Sequence, residues 1–226
     1  MAKIRQFDRF IPILIILIIS SYISNAQSYY VEDKHTFFGG VVAGGNFSQV
    51  DGDNFAGYHK TGLNVGGIVY TRLTAHFTPS LEILYSEKGS KSNGYKHVNS
   101  NKYDIHTYGI SLNYAEIPVM INYFDKNNAN FGLGFSYSQL VGSKEYATTN
   151  SSAFDDTLHF ERFPFKSNDV NFIVGGSLRF FKGFYLNLRF QYSLFPVRKT
   201  MHTEFGRADQ YNNIWTFRLM YLFGDK

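Results

Sequence analysis

The sequence of 226 residues contains no cysteine. This absence excludes disulfide bonds, thiolate metal sites and a cysteine nucleophile, and it leaves no residue that could carry a lipoprotein lipid. Charged residues are also scarce, at 18% of the chain, against about 25% in an average domain. The net charge of +4 is small and comes in part from Lys3, Arg5 and Arg9, so we expect no binding to nucleic acid.

A long apolar run occurs only near the N-terminus, over residues 13–19. The three basic residues precede it, and small residues at Ser24 and Ala26 follow it. This order is typical of a secretory signal peptide. The alternative is an uncleaved anchor helix, but the run is shorter than the ~20 residues that cross a bilayer. We therefore predict a signal peptide over 1–26 and a single domain over 27–226.

Aromatic residues are abundant in the rest of the chain, which has 17 tyrosines and 23 phenylalanines in total. Many of them alternate with polar or small residues. In the clearest stretch, every second position from 215 to 223 is apolar or aromatic: Trp215, Phe217, Leu219, Tyr221 and Phe223. We call such a set of alternate positions a parity. Because side chains alternate across a strand, this pattern predicts a β-strand with all its aromatic rings on one face.

Eight stretches show this alternation, and the links between them are alternately short and long. The predicted strands are 37–46, 62–73, 80–89, 108–124, 130–142, 170–181, 184–195 and 213–223. The largest link is Ser143–Asp169 and the shortest is Lys182-Gly183. Short turns at one end and long loops at the other are typical of outer-membrane barrels. We predict an all-β fold, an eight-stranded antiparallel up-and-down transmembrane β-barrel.

Two features of the pattern need a further explanation. A soluble barrel of the lipocalin kind would place the aromatic parity inside. The glycine- and serine-rich polar parity suits a narrow lumen better, so we favour a membrane barrel with its aromatic residues towards lipid. Leu112 and Tyr114 lie on the wrong parity for this arrangement. A bulge, or a strand that continues above the membrane, would explain them.

The predicted inward parity carries seven charged residues. They are Arg72, Glu82, Lys88, Glu116, Arg179, Arg189 and Arg218. Charges in a narrow lumen must be paired, so we expect a network centred on Glu82 and Glu116. An eight-stranded barrel has room for little more than side chains, which favours a structural plug over a conduit or a ligand site.

The sequence contains no recognisable motif for catalysis or for cofactor binding. The histidines are scattered, and five of them fall in expected loops: His59, His97, His106, His159 and His202. The segment Asp51–Asn54 begins like a calcium loop, but the residues after it do not supply the remaining ligands. We predict no enzymatic activity, no cofactor and no metal site.

Three segments carry a family resemblance: residues 44–53 followed by 56–62, Leu81–Gly89 and Tyr114–Val119. They resemble PorT-type outer-membrane β-barrel proteins of Bacteroidota. The resemblance extends over essentially the whole domain and implies a barrel with periplasmic termini and long external loops. Glu82 and Glu116 match the recurring strand acids of that family, for which the resemblance implies a structural role.

Together, these patterns predict a monomeric protein of the outer membrane of a Gram-negative bacterium. Its partners would be outer-membrane lipid, the barrel-assembly machinery and other envelope proteins, acting through the loops in an envelope-structural or surface-interaction role. One alternative is a component of a type IX secretion machine. Another is a narrow pore or a ligand-binding barrel.

Overall fold

The computed structural model describes residues 37–55, 57–74, 76–92, 96–97, 104–125, 129–149, 160, 163–200 and 205–223. All of them lie in one of the two units into which the chain divides, Thr36–Lys226. The expected signal peptide lies outside the described residues. Within the described part of the chain, no helix is long and apolar enough to cross a membrane.

Antiparallel strands form a closed ring. They are β1 (Phe37–Asp53), β2 (Lys60–Thr71), β3 (Phe77–Lys91), β4 (Lys96–His97), β5 (Asp104–Phe124), β6 (Ala129–Thr149), β7 (Asn168–Phe181), β8 (Phe184–Ser193) and β9 (Gly206–Leu222). The sheet order is β3-β2-β1-β9-β8-β7-β6-β5, and pairing of β3 with β5 closes it. The two-residue β4 only extends the edge of β5. The predicted eight-stranded up-and-down barrel is confirmed.

The alternation of each strand sorts its side chains between the two faces of the wall. On β9, Phe217 is 55% exposed, whereas Thr216 is fully buried in the interior. The neighbouring strands follow the same rule, with Leu186 exposed and Tyr185 buried on β8. The aromatic parity therefore faces outwards, as a strand period of two requires.

The two ends of the barrel differ in their links. We call the turn end the one with the short links 72–76, 125–128 and 182–183, and the loop end the opposite one. At the turn end, Gly183 adopts a φ of 74°, which suits glycine in a two-residue hairpin turn. At the loop end the strands are longer than predicted. The expected link Ser143–Asp169 is wrong at its start, because β6 continues to Thr149.

Two aromatic girdles bound the apolar part of the outer wall. On β3, Phe77 and Tyr85 lie eight residues apart, which corresponds to about 20 Å along the barrel axis for a tilted strand. The tyrosine hydroxyls at the loop end point away from this band, since Tyr85 donates to Glu87 at 3.1 Å and Tyr137 to Gln139 at 3.2 Å. The band has the height and the amphipathic borders expected of a wall in contact with lipid.

The unexpected parity of Leu112 and Tyr114 arises because the strands continue past the girdle. A bulge also interrupts the β5–β6 ladder, since Asn113 pairs with Gly142 while Tyr114 pairs with Leu140, but the extra residue is Val141 of β6 and the parity of β5 is unchanged. Leu112 and Tyr114 are fully buried inside the barrel, so the interior is apolar at this level and the inward parity itself is unbroken.

Glycines allow the strands to approach closely in this narrow barrel. A Cβ atom on Gly66 would lie 2.0 Å from the carbonyl oxygen of Ile83, and one on Gly44 would lie 2.1 Å from that of Phe217. A larger residue at either position would force adjacent strands apart.

Candidate functional site in the barrel interior

Glu82 lies at the centre of a three-residue ion cluster. Its carboxylate oxygens are 2.5 Å from Nη2 of Arg189 and 2.7 Å from Nη1 of Arg218. Each guanidinium donates two hydrogen bonds to the carboxylate. Nε of Arg218 also donates to Oδ1 of Asn187 at 2.8 Å, which fixes the plane of the guanidinium. This paired geometry compensates charges that are almost completely removed from solvent.

Glu116 forms a second ion cluster nearer the loop end. Nζ of Lys88 lies 3.1 Å from Oε2 of Glu116, and both side chains are fully buried. Ser136 donates to Oε1 at 2.7 Å, and Gln191 donates to the same oxygen. The ammonium group also lies 5.0 Å from the centre of the Tyr114 ring. The carboxylate is thus held by one full charge and two neutral donors.

Asp169 is a third buried carboxylate, and it was not among the predicted inward charges. It is 3% exposed, and its Oδ2 accepts hydrogen bonds from Ser193 at 3.0 Å and Asn212 at 2.9 Å. It was predicted to end the long link Ser143–Asp169, although its parity matches that of Asn171 inside β7. The buried charges in the middle of the interior are then Glu82, Glu116 and Asp169 against Lys88, Arg189 and Arg218. They sum to zero.

Arg72 and Arg179 do not belong to either ion cluster. Arg72 follows the last residue of β2 and is exposed at the turn end, where its guanidinium lies 5.4 Å from the centre of the Phe38 ring. The prediction for Arg72 was wrong because the strand parity was extended past Thr71, where β2 ends. Arg179 is half-buried near the end of β7, and the ion pairs of Glu82 and Glu116 are made by the other three cations.

Apolar side chains lie at both ends of this polar layer. The turn-end cap consists of Val42, Ile68, Tyr70, Leu84, Tyr185, Met220 and Leu222. The loop-end cap consists of Val50, Phe55, Ile105, Tyr108, Ile110, Leu112, Tyr114 and Phe205. Every one of these side chains is at most 6% exposed. The charged layer therefore adjoins an apolar cap on each side, and the turn-end cap reaches the level of Glu82 through Ile68, its partner in the ladder.

Arg198 connects the chain segments that lie over the loop-end cap. It forms a two-point ion pair with Glu145 at 2.6 and 3.0 Å, and its Nε donates to Gln210 at 2.9 Å. The guanidinium also lies 4.0 Å from the centre of the Phe165 ring. The Tyr108 hydroxyl donates to the same carboxylate. Burial and the charge of Glu145 raise the pKa of Tyr108, which keeps this donor protonated.

A β-bulge at Gly52 directs the side chain of Asp53 into the loop-end cap. Gly52 has a φ of 93°, and the β1–β9 register shifts between Asp51 and Asp53. Asp53 then accepts a hydrogen bond from the backbone N–H of Phe55 at 2.8 Å, which helps to place that ring in the cap. Burial raises the pKa of Asp53 to about 6.

The family model for the outer membrane protein beta-barrel domain matches residues 25–198. This match covers more than half of the 226 residues. The chain belongs to this family. Membership, together with the apolar outer wall, places the barrel in the outer membrane and resolves the choice between a membrane barrel and a soluble one. No protein of curated function matches the sequence.

Solved structures of outer-membrane proteins are also similar. Ail of Yersinia pestis matches with a TM-score of 0.44 and 11% identity, covering 84% of this chain and 100% of Ail. Neisserial surface protein A matches with a TM-score of 0.40 and 10% identity, covering 84% and 99%. AlkL, solved in lipid bilayers, has a TM-score of 0.35 and 14% identity, covering 87% and 96%.

The histidines and the Asp51 segment, which were considered as metal ligands or acid–base groups, do not come together in the described part of the structure. Among the described residues, no group of three or more histidine or acidic side chains could hold a metal ion. His59 and His106 are exposed at the loop end, whereas His159, His202 and the side chain of His97 lie outside the described part. Asp51 stays on the outer face, where it accepts a hydrogen bond from Asn213 at 3.1 Å.

Proposed function

We propose that this protein is a non-enzymatic outer-membrane barrel whose lumen is plugged by its own side chains. The observation that carries the proposal is the neutral ion layer between two apolar caps. A hydrated ion crossing the barrel would have to shed water at each cap and displace a paired charge in the middle, and both steps are costly. Eight strands also leave an interior only wide enough for side chains.

We further propose that the loop end faces the outside of the cell and that the protein acts there. The strands of β5 and β6 extend well beyond the aromatic girdle, and Arg198 with Glu145 holds the link residues in place. This supports an envelope-structural or surface-interaction role carried by the loops. An epitope inserted in the β6–β7 link should be accessible to antibody on intact cells. Labelling only after the outer membrane is broken would overturn this orientation.

The conductance of the refolded barrel in planar lipid bilayers tests the plug. Wild-type protein should add no steady conductance to the bare lipid, and Arg189→Ala and Glu116→Ala should change this little. The outward variant Glu87→Ala is the matched control. Heat-dependent gel mobility confirms that each variant has folded. A stable conductance in the wild type, or a clear rise in either lumen variant alone, would contradict the plug.

The PorT-type assignment is a finer proposal, supported by where the resembling segments lie. The first segment covers the loop-end half of β1 and the start of β2, the second lies in β3 and the third in β5. The acids of the last two, Glu82 and Glu116, are the centres of the two ion clusters. A deletion strain scored for protein secretion and for envelope integrity tests it. Loss of secretion together with co-purifying partners would favour the secretion machine over the structural role.

A further inference from the structure

The outer wall changes character beyond the loop-end girdle, and one sector differs from the rest. On β3, β6 and β9 the next outward residues are polar, namely Glu87, Gln139 and Asn213. Beside β7 and β8 the surface stays apolar. Leu194, two residues past Tyr192 on the same parity, is 46% exposed, and the adjacent Phe195 is 61% exposed.

A second chain segment widens this apolar surface. Residues 163–167 run beside residues 194–198, since the N–H of Lys166 donates to the carbonyl of Val197 at 2.8 Å. Phe163 and Pro164 are exposed there. Arg198 holds the arrangement from beneath, through the carbonyl of Phe163 at 3.3 Å. The surface is therefore built by fixed backbone contacts.

Two exposed lysines, Lys166 and Lys199, border the apolar residues. The carboxylate beside Lys199, that of Asp209, is held by Thr200, whose N–H and hydroxyl donate to it at 2.7 and 2.6 Å. The positive charge of Arg198 is paired with Glu145. We call this region the lateral patch: Phe163, Pro164, Lys166, Leu194, Phe195 and Lys199.

We propose that the lateral patch binds the phosphate-bearing headgroups of anionic lipids in the adjoining membrane leaflet. Phe190 and Tyr192, on the outward parity of β8, precede Leu194, so the apolar part of the patch follows directly on the lipid-facing wall. Lysines at this height match anionic headgroups and keep their stems along apolar surface. The proposal rests on the assignment of the outer wall to lipid and is independent of the plugged lumen.

The test uses the only tryptophan of the chain as a probe of the adjoining lipid. Trp215 is 38% exposed on the outer wall, and its ring lies 5.0 Å from that of Phe190. Phe190 is on β8, four residues before Leu194, which follows the end of that strand. The full-length chain is refolded in phosphatidylcholine vesicles that contain increasing fractions of brominated phosphatidylglycerol or brominated phosphatidylcholine. Brominated chains quench tryptophan on contact, so the quenching curves give the relative association of each lipid.

The wild type should prefer phosphatidylglycerol, and the double variant K166E/K199E should reduce that preference by at least about fivefold. The matched control is K91E/K144E, which reverses two exposed lysines on β3 and β6. Equal quenching by both lipids in the wild type would overturn the proposal, as would an equal loss in the control. A shift in oligomeric state with unchanged lipid preference would assign the patch to protein contacts and also overturn it. Conductance tests the plug separately, so either proposal can fail alone.

Discussion

The two halves of β5 carry opposite chemistry on the same inward face. Towards the turn end the inward residues include Glu116 and Asn122, whereas towards the loop end they are Leu112, Ile110 and Tyr108. The difference follows from what lies outside the wall. Within the band the outer side faces lipid, so apolar residues are used outside and polar ones inside. Beyond the girdle the outer side faces water, and the barrel has an apolar core like that of a soluble protein.

The largest expected effect comes from removing the carboxylate of the Glu82 ion cluster, which lies in the part of the barrel that faces lipid. Glu82→Ala would leave two buried guanidinium groups, Arg189 and Arg218, without a counter-charge. We expect the free energy of unfolding to fall by about 3–5 kcal/mol. Urea unfolding of the barrel in vesicles, followed by Trp215 fluorescence, measures it. The outward control Glu87→Ala should cost at most about 1 kcal/mol, and an equal loss in both variants would refute the distinction.

The loop-end half should respond to a cavity as a soluble core does. Leu112→Ala removes a fully buried side chain from the loop-end cap, and we expect a loss of about 2–4 kcal/mol. The control Val141→Ala removes an exposed side chain beside the bulge and should stay within about 0.5 kcal/mol of wild type. The same unfolding assay applies. A neutral Leu112→Ala would show that this end is not packed as a core.

A smaller effect is expected from the ion pair of Arg198 with Glu145, which holds the loop-end segments against the barrel. Glu145→Gln keeps the shape of the side chain but removes the charge that Arg198 and Tyr108 share. The loss should be about 1.5–3 kcal/mol and confined to the loop end. Hydrogen exchange should therefore accelerate at the amides of Val197 and Gln210 but not in the part of the barrel that faces lipid. Lys144→Gln is the control. Unchanged exchange at these two amides in both variants would show that the ion pair does not hold the loop-end segments in place.

The smallest effect is a pH dependence carried by Asp53. Because burial raises its pKa to about 6 from the ordinary value of 3.8, folding favours the protonated form. This contribution is fully present below pH 3.8 and is lost as the pH rises to about 6. The free energy of opening at the loop end, measured by amide exchange and corrected for the intrinsic pH dependence of exchange, should therefore fall over this range.

The charged groups that act on Asp53 are Arg207 and Asp51, and Tyr108 lies within the same electrostatic environment. Asp53→Asn retains an oxygen for the Phe55 amide and removes the titrating group. The free energy of opening at the loop end of this variant, corrected for the intrinsic pH dependence of amide exchange, should be constant between about pH 4 and 6. The same slope in the variant and in the wild type would assign the effect to another group.

Local alternation was enough to predict the strands, their order and the outward aromatic parity, because each of these depends on a period of two within one segment. Glu82 and Glu116 were also found in this way. The error at Arg72 and the omission of Asp169 have one origin, since parity is informative only while the limits of a strand are known. Arg72 lies just past β2, and Asp169 lies just inside β7.

The alternation of residues along the chain is thus sufficient for a lipid-compatible wall and for the set of residues that can face inwards. Which inward charges meet depends on the closed barrel, because Glu82 on β3 is more than a hundred residues away from Arg189 and Arg218, its partners on β8 and β9. The closed barrel also decides where the interior changes from polar to apolar. That level depends on the height at which each tilted strand leaves the membrane, and this height is set by the register of the closed ring rather than by any single strand.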